Sequence, residues 1–281
     1  MVKFGINGWC WSYPFYEEKL FTLAISRAKK FGFDGMEIPL ENLEKLNVKK
    51  LRETLEAYDM PVCDITPALP DLISSNADTR KKAKEFLKTG LGIAREIGSE
   101  CLLVVPSAVG KLDAELAREK EWNLCVEALK EAAPVAADNN VCIVVEAINR
   151  FETYFINIVA DAARLVREVN HPNVKVCIDT FHMNIEEQDF LNAIRDAGDL
   201  IYHVHANENH RGQPGAGHIP FPKILKALKD IGYHRWLVIE TFQPGIKEIA
   251  KAACIWRKLA PDQDTLARDG LRYLQSTWFT A

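Results

Sequence analysis

At 281 residues, the chain has the length of one large α/β domain or two small ones. With 48% hydrophobic and 26% charged residues it is composed like a soluble globular protein, rich enough in apolar side chains to bury whole strands on both faces. A net charge of −4 gives no sign of the basic face that nucleic acid usually requires, and no basic run or apolar stretch of about 18 residues points to a membrane.

The N-terminus, MVKFGINGWCWSYPF, has no charged segment followed by a long apolar one, so no signal peptide is expected. Seven cysteines, an odd number at irregular spacing with no C-x-x-C pair, read as small buried hydrophobes in a reducing cytoplasm. Along the chain, short apolar runs alternate with longer amphipathic ones. Strands are predicted at residues 2–8, 35–40, 61–66, 101–106, 141–147, 174–180, 201–207 and 236–242. Each is apolar on both parities, the pattern of parallel strands buried on both faces. Helices are predicted at residues 18–31, 48–58, 79–97, 116–138, 158–169, 190–197, 222–231 and 246–259. In the first of these, Leu20, Leu23, Ala24 and Ala28 recur at helical spacing. Gly32 and Gly98 fall where left-handed C-caps are expected, and Asn157 and Asp189 where N-caps are expected.

Eight strand–helix units predict an α/β fold, a (β/α)8 TIM barrel. An open doubly wound sheet would carry a Gly-rich phosphate turn after its first strand, where this chain has NGWCWSYP. No linker or repeat divides the sequence, so one domain spanning residues 1–281 is expected. From about residue 261 it ends in a short helical or irregular tail with exposed-looking polar residues and Trp278.

In such a barrel the chemistry sits at the C-terminal ends of the strands. Strand five ends CIVVEA, with Glu146; strand six VCIDT, with Asp179; strand seven IYHVHAN, with His203 and His205; strand eight LVIETF, with Glu240. Side chains alternate along a strand, so Glu146 is in phase with Cys142 and Val144, Asp179 with Cys177, and Glu240 with Val238. All can point inward at the top. His205 is nearer the open end than His203, which makes it the better ligand and leaves His203 a structural place one layer deeper. Three converging buried carboxylates repel one another, and a divalent cation relieves that. Three oxygens and one imidazole suit Mn²⁺, Mg²⁺ or Co²⁺ better than a structural zinc. The loops beyond add Asn149, Arg150 and Glu152 after strand five and His182 after strand six. After strand seven come Glu208, His210, Arg211 and His218, among three glycines.

The segments EAINRFE, IDTFHMNIEE, HVHANENHRGQPGAGHI and VIETF resemble the D-tagatose 3-epimerase family, which includes the D-psicose (D-allulose) and L-ribulose 3-epimerases of the xylose-isomerase-like barrels. The match is strongest over residues 141–242. The resemblance implies one Mn²⁺-type metal, with Co²⁺ or Mg²⁺ as substitutes, on Glu146, Asp179, His205 and Glu240. It further implies a sugar substrate contacted by Glu152, His182 and Arg211, and assembly as a homodimer or homotetramer. The loops VVPSAVGKLD and ITPALPDLISS depart from the family pattern and leave the preferred ketose open, while Trp9, Trp11, Tyr13 and Phe15 form an aromatic group that could wall the pocket. Epimerising C3 of a 2-ketose requires proton removal on one face and return on the other, so Glu146 and Glu240 are expected as the acid–base pair. An aldose–ketose isomerase and a polyol dehydratase are the competing activities on the same scaffold. A multi-zinc nuclease would need more histidine ligands and a basic groove.

Overall fold

The computed structural model describes residues 1–281, apart from the side chain of Ala252. Every predicted strand forms, within three residues of its expected limits: β1 (Lys3–Asn7), β2 (Gly35–Leu40), β3 (Val62–Pro67), β4 (Cys101–Val104), β5 (Cys142–Glu146), β6 (Val174–Asp179), β7 (Ile201–His205) and β8 (Trp236–Ile239). They pair in parallel in sequence order, and β1 pairs with β8 to close the barrel. The helices are α1 (Glu18–Phe31), α2 (Val48–Ala57), α3 (Ala77–Glu96), α4 (Arg118–Asp138), α5 (Val159–Val169), α6 (Thr180–Glu186), α7 (Phe190–Ala197), α8 (Phe221–Asp230), α9 (Lys247–Ala252) and α10 (Gln263–Thr280). No helix among the described residues is long and apolar enough to cross a membrane.

Strand alternation divides the apolar residues into two populations. Ile143 and Val145 of β5 join the large core between strands and helices, whereas Cys142 and Val144 pack inside the barrel with Cys101, Leu103 and Cys177. Two irregularities alter that alternation. Pairing jumps from Met36↔Val62 to Glu37↔Asp64, which makes Cys63 an extra residue on β3. It jumps again from Val176↔Ile201 to Cys177↔His203, with Tyr202 the extra residue on β7. Such bulges re-aim the side chains beside them. Here both precede polar residues, Asp64 and His203, that lie wholly buried.

Caps follow local chemistry. Gly32 ends α1 at φ +83° and Gly98 follows α3 at φ +72°. The Asp189 carboxylate accepts from the Leu191 and Asn192 amides at the start of α7. Asn157 does not cap α5. Ile158 occupies the N-cap position, and Asn157 Nδ2 instead donates to the carbonyls of Ile148 and Thr153, tying down the loop after β5.

The chain after β8 differs most from expectation. Instead of a helix over residues 246–259, α9 spans six residues. Cys254 at φ +53° turns the chain, and the Ile255 amide bonds back to the Ala250 carbonyl. This returns Ile255 to Ile249 and Phe242, a small apolar cluster that also takes in Trp9 and Tyr13. The segment expected as a tail forms the 18-residue helix α10. Its Leu266, Leu271, Leu274 and Trp278 are buried, and it packs against α8, α1, β1 and β8. The helix that covers β8 is therefore α10. Its many polar residues lie on the outer face and hid the apolar stripe.

Candidate active site

At the C-terminal rim, Glu146, Asp179 and Glu240 converge on one atom, Nδ1 of His205. It lies 3.0 Å from Glu146 Oε1, 3.7 Å from Glu240 Oε2 and 3.9 Å from Asp179 Oδ2. All four side chains are buried. Asp179 has two further duties. Its Oδ1 caps α6 by accepting the Phe181 amide at 2.7 Å, and its Oδ2 accepts from Asn207 Nδ2 at 2.8 Å. Asn207 Oδ1 in turn accepts the Glu240 amide at 2.8 Å. That one amide side chain ties the ends of β6, β7 and β8 together, a role its sequence context did not disclose.

The loop after β7 delivers Arg211 to the same place. The Glu208 carboxylate, wholly buried, accepts from the amides of Gly215 and Ile219 and folds the loop around itself. Gly215 sits at φ +86°, which favours glycine, and a Cβ on Gly217 would crowd the side chains of Asn209 and Glu208. Arg211 itself is left-handed, at φ +59°. Its Nη1 donates to Asp179 Oδ2 and Glu240 Oε2, both at 2.7 Å, and its guanidinium lies 4.1 Å from the centre of the Phe181 ring and 5.3 Å from that of Phe242.

His182, on α6, completes the arrangement. Its Nδ1 accepts the Asn149 backbone amide at 3.1 Å, so in the neutral ring Nε2 carries the hydrogen. Burial pushes its pKa down to about 3, which keeps the ring neutral. Nε2 stands 3.0 Å from Arg211 Nη2. In that tautomer two donors stand side by side, and an acceptor oxygen lying beside the pair, within reach of both, would satisfy them. Glu152 accepts from Asn149 Nδ2 at 2.7 Å and lies 4.0 Å from His182 Nδ1, at the more open edge.

Electrostatics separate the three carboxylates. Burial, with Glu146 and Glu37 adding to it, pushes Glu240 up to about 8 against the opposing Arg211. Burial also raises Glu146. Asp179 is as buried, yet Arg211 holds it below the ordinary carboxylate range. His205 would be lowered by burial, but the carboxylates around it, Glu37 foremost, hold it well above an ordinary histidine. Three carboxylates around one imidazole, two of them bonded to Arg211, form an oxygen-rich set that fits a Mn²⁺-, Mg²⁺- or Co²⁺-type ion.

Not every expected residue belongs here. His203 lies a layer deeper, as strand phase predicted. With it lie Glu37 and Asp64, which the sequence reading passed over, although a carboxylate inside an apolar strand (GMEIPL, VCDITP) was a readable signal. Asp64 has no hydrogen-bond partner, and burial followed by Glu37 holds it well above the ordinary carboxylate range. Arg150 is exposed and bonds Glu186 instead. His218 is exposed and faces Asn184, and His210 Nδ1 lies beside its neighbour Asn209. Of the first-loop aromatics, Trp9 packs at a tilt against Phe242, ring centres 5.9 Å apart, and Tyr13 joins the same cluster. Trp11 and Phe15 are buried in the helix layer, where Trp11 stacks on Phe31 and donates to Asp264.

Comparison with known proteins agrees with this architecture. The family model of the xylose isomerase-like TIM barrel matches residues 25–277. A probable ketose 3-epimerase of Synechocystis is 32% identical over 99% of this chain and 98% of its own. A D-psicose 3-epimerase of Ruminiclostridium cellulolyticum is 33% identical over 90% and 89%. Among solved structures, a D-allulose 3-epimerase from Methylomonas sp. in complex with D-allulose superimposes with a TM-score of 0.92, at 29% identity over 98% of this chain and 97% of that one. The chain belongs to the xylose isomerase-like TIM barrels and, within them, to the ketose 3-epimerase family.

Proposed function

We propose that this protein is a metal-dependent ketose 3-epimerase that interconverts free 2-ketoses at C3. The observation that carries the reading is the convergence of Glu146, Asp179 and Glu240 on His205 Nδ1, with paired donors from His182 and Arg211 alongside. Glu146, Asp179, His205 and Glu240 would hold one divalent ion, Mn²⁺ in first place, with Co²⁺ or Mg²⁺ as alternatives. When bound, that ion supplies Lewis-acid stabilisation of negative charge on adjacent substrate oxygens.

The chain's own groups do the rest. Glu146 ends β5 and Glu240 follows β8, strands that lie on either side of β7 and His205 in the barrel order. One removes the C3 proton from one face of the sugar, the other returns a proton to the opposite face, and the order reverses with substrate direction. Burial raises the Glu146 carboxyl and pushes that of Glu240 up to about 8, and raised carboxylate pKa values favour both halves of that exchange. His182 Nε2–H and Arg211 Nη2–H, side by side at 3.0 Å, take the C2 oxygen as negative charge develops in the enediolate. Glu152 orients the sugar hydroxyls at the open edge, and Trp9 and Phe242 shield the site from water. The same reading has the enzyme working in the cytoplasm as a homodimer or homotetramer.

The experiment is a panel of free ketoses incubated with protein and Mn²⁺, Co²⁺ or Mg²⁺, with products separated by chromatography. A C3 epimer is the expected product, suppressed by a chelator and restored by added metal. An aldose, or loss of water from the substrate, would replace this reading with one of its rivals.

Metal binding should depend on pH in a direction set by the site. His205 and Glu240 are held in their protonated forms near pH 7, and an ion on the same atoms must displace those protons. Affinity therefore rises with pH, by up to about tenfold per unit for each proton released, and the Glu240 contribution ends above about pH 8. Calorimetric titration with Mn²⁺ in buffers of different ionisation enthalpy measures this directly. An affinity that does not change between pH 6 and 8, with no proton release, would contradict it.

A further inference from the structure

Below the rim, the second nitrogen of His205 has a partner of its own. Nε2 lies 2.8 Å from Glu37 Oε2, and Glu37 is wholly buried in the middle of β2, across the barrel from β7. The other Glu37 oxygen, Oε1, accepts from Asn7 Nδ2 and Thr66 Oγ1. Three strands, β1, β3 and β7, therefore hold one carboxylate, and neither oxygen has freedom to turn away. His203 Nε2 lies 3.5 Å from the same Oε2 without completing a hydrogen bond, so the contact to His205 is the short one.

This geometry decides which nitrogen of His205 is available. With Oε1 already accepting from Asn7 and Thr66, Oε2 faces Nε2 at 2.8 Å and accepts its hydrogen, so the lone pair of the neutral ring falls on Nδ1, the atom on which Glu146, Asp179 and Glu240 converge. Hydrogen-bonding one ring nitrogen to a carboxylate fixes the tautomer and ring orientation of a ligating histidine and raises its basicity. We propose that Glu37 is a positioning residue that locks His205 with Nδ1 presented to the metal site, and that Asn7 and Thr66 hold Glu37 in place for that purpose. The inference rests on the metal reading given above.

Glu37→Gln tests it, because the amide keeps the volume and removes the obligatory acceptor. Metal affinity is measured by competition with a chelator for Co²⁺, and site geometry by the visible absorption of the bound Co²⁺. The expected result is binding weakened by about 10–100-fold, a changed cobalt spectrum, and a kcat that stays low at saturating metal with little change in KM. Unchanged affinity and spectrum in a folded variant would overturn the inference. Should Glu37→Gln not fold, Thr66→Val decides. It keeps the Glu37 charge and removes one of its two anchors, so a smaller loss of affinity in the same direction supports the proposal and an unchanged affinity overturns it. The two readings fail separately: wild-type protein that takes up no divalent ion defeats the metal site itself, whereas wild type that binds one ion and a Glu37→Gln variant that binds it equally well defeat only the role of Glu37.

Discussion

Replacing either Glu146 or Glu240 with glutamine should lower ketose epimerisation by about 10²–10⁴-fold through loss of proton transfer alone, and further where metal is not saturating. Glutamine is nearly isosteric and both positions are buried, so the fold should persist. The two variants should also differ from each other. With one carboxylate gone, the other still faces the C3 proton of one epimer. In deuterated water, each variant should therefore wash deuterium into C3 of one epimer and not the other, with the preference reversed between Glu146→Gln and Glu240→Gln. Product analysis by chromatography gives the rate, and NMR of the recovered sugar gives the exchange. Near-normal epimerisation by either variant would remove that carboxylate from the proposed mechanism.

The sequence exposed the site to the extent that the site lies on strands. Glu146, Asp179 and His205 end β5, β6 and β7, Glu240 follows β8 by one residue, and inward phase can be counted from the apolar residues of each strand. His205 was separable from His203 on the same basis. The supporting shell was harder to see, because its members are recognised by what they touch across the barrel. Glu37 meets His205 from a strand 168 residues distant in sequence, and Asn207 joins three strand ends through a single amide. The bulges at Cys63 and Tyr202 break the period-two count, so the inward aim of Asp64 could not be read from alternation on β3. The same limit applied to the C-terminal helices. A run that looked helical over residues 246–259 was cut short by a left-handed Cys254, a residue type that does not announce such a turn. α10, in contrast, buries an apolar stripe that its polar outer face concealed. Trp11 and Phe15 illustrate the reverse error: an aromatic cluster in a first loop suggested a pocket wall, but half of it serves the helix layer.

Arg211 should prove the most revealing residue outside the carboxylates, because its structural and chemical roles can be told apart. In the absence of metal its guanidinium bonds both Asp179 and Glu240, at 2.7 Å from each, and is the charge that compensates the ionised Asp179. Removing one partner of such a buried ion pair costs about 3–5 kcal/mol, so Arg211→Ala should melt well below wild type when stripped of metal. An ion on the same carboxylates offsets that missing charge, and the melting temperature should recover substantially on adding Mn²⁺. Activity should not recover with it. The donor that Arg211 Nη2 presents beside His182 Nε2 is lost, and deletion of one such preorganised donor lowers kcat by about 10²–10³-fold. Arg211→Lys should restore part of the metal-free stability, since a charge returns. Its ammonium cannot reach both carboxylates and the oxygen site at once, as the planar fork does, so kcat should stay low. Thermal melts with and without metal, alongside kcat and KM at saturating metal, test each step. An Arg211→Lys enzyme with wild-type kcat would show that Arg211 acts through its charge alone, and the paired-donor site for the C2 oxygen would then have to be abandoned.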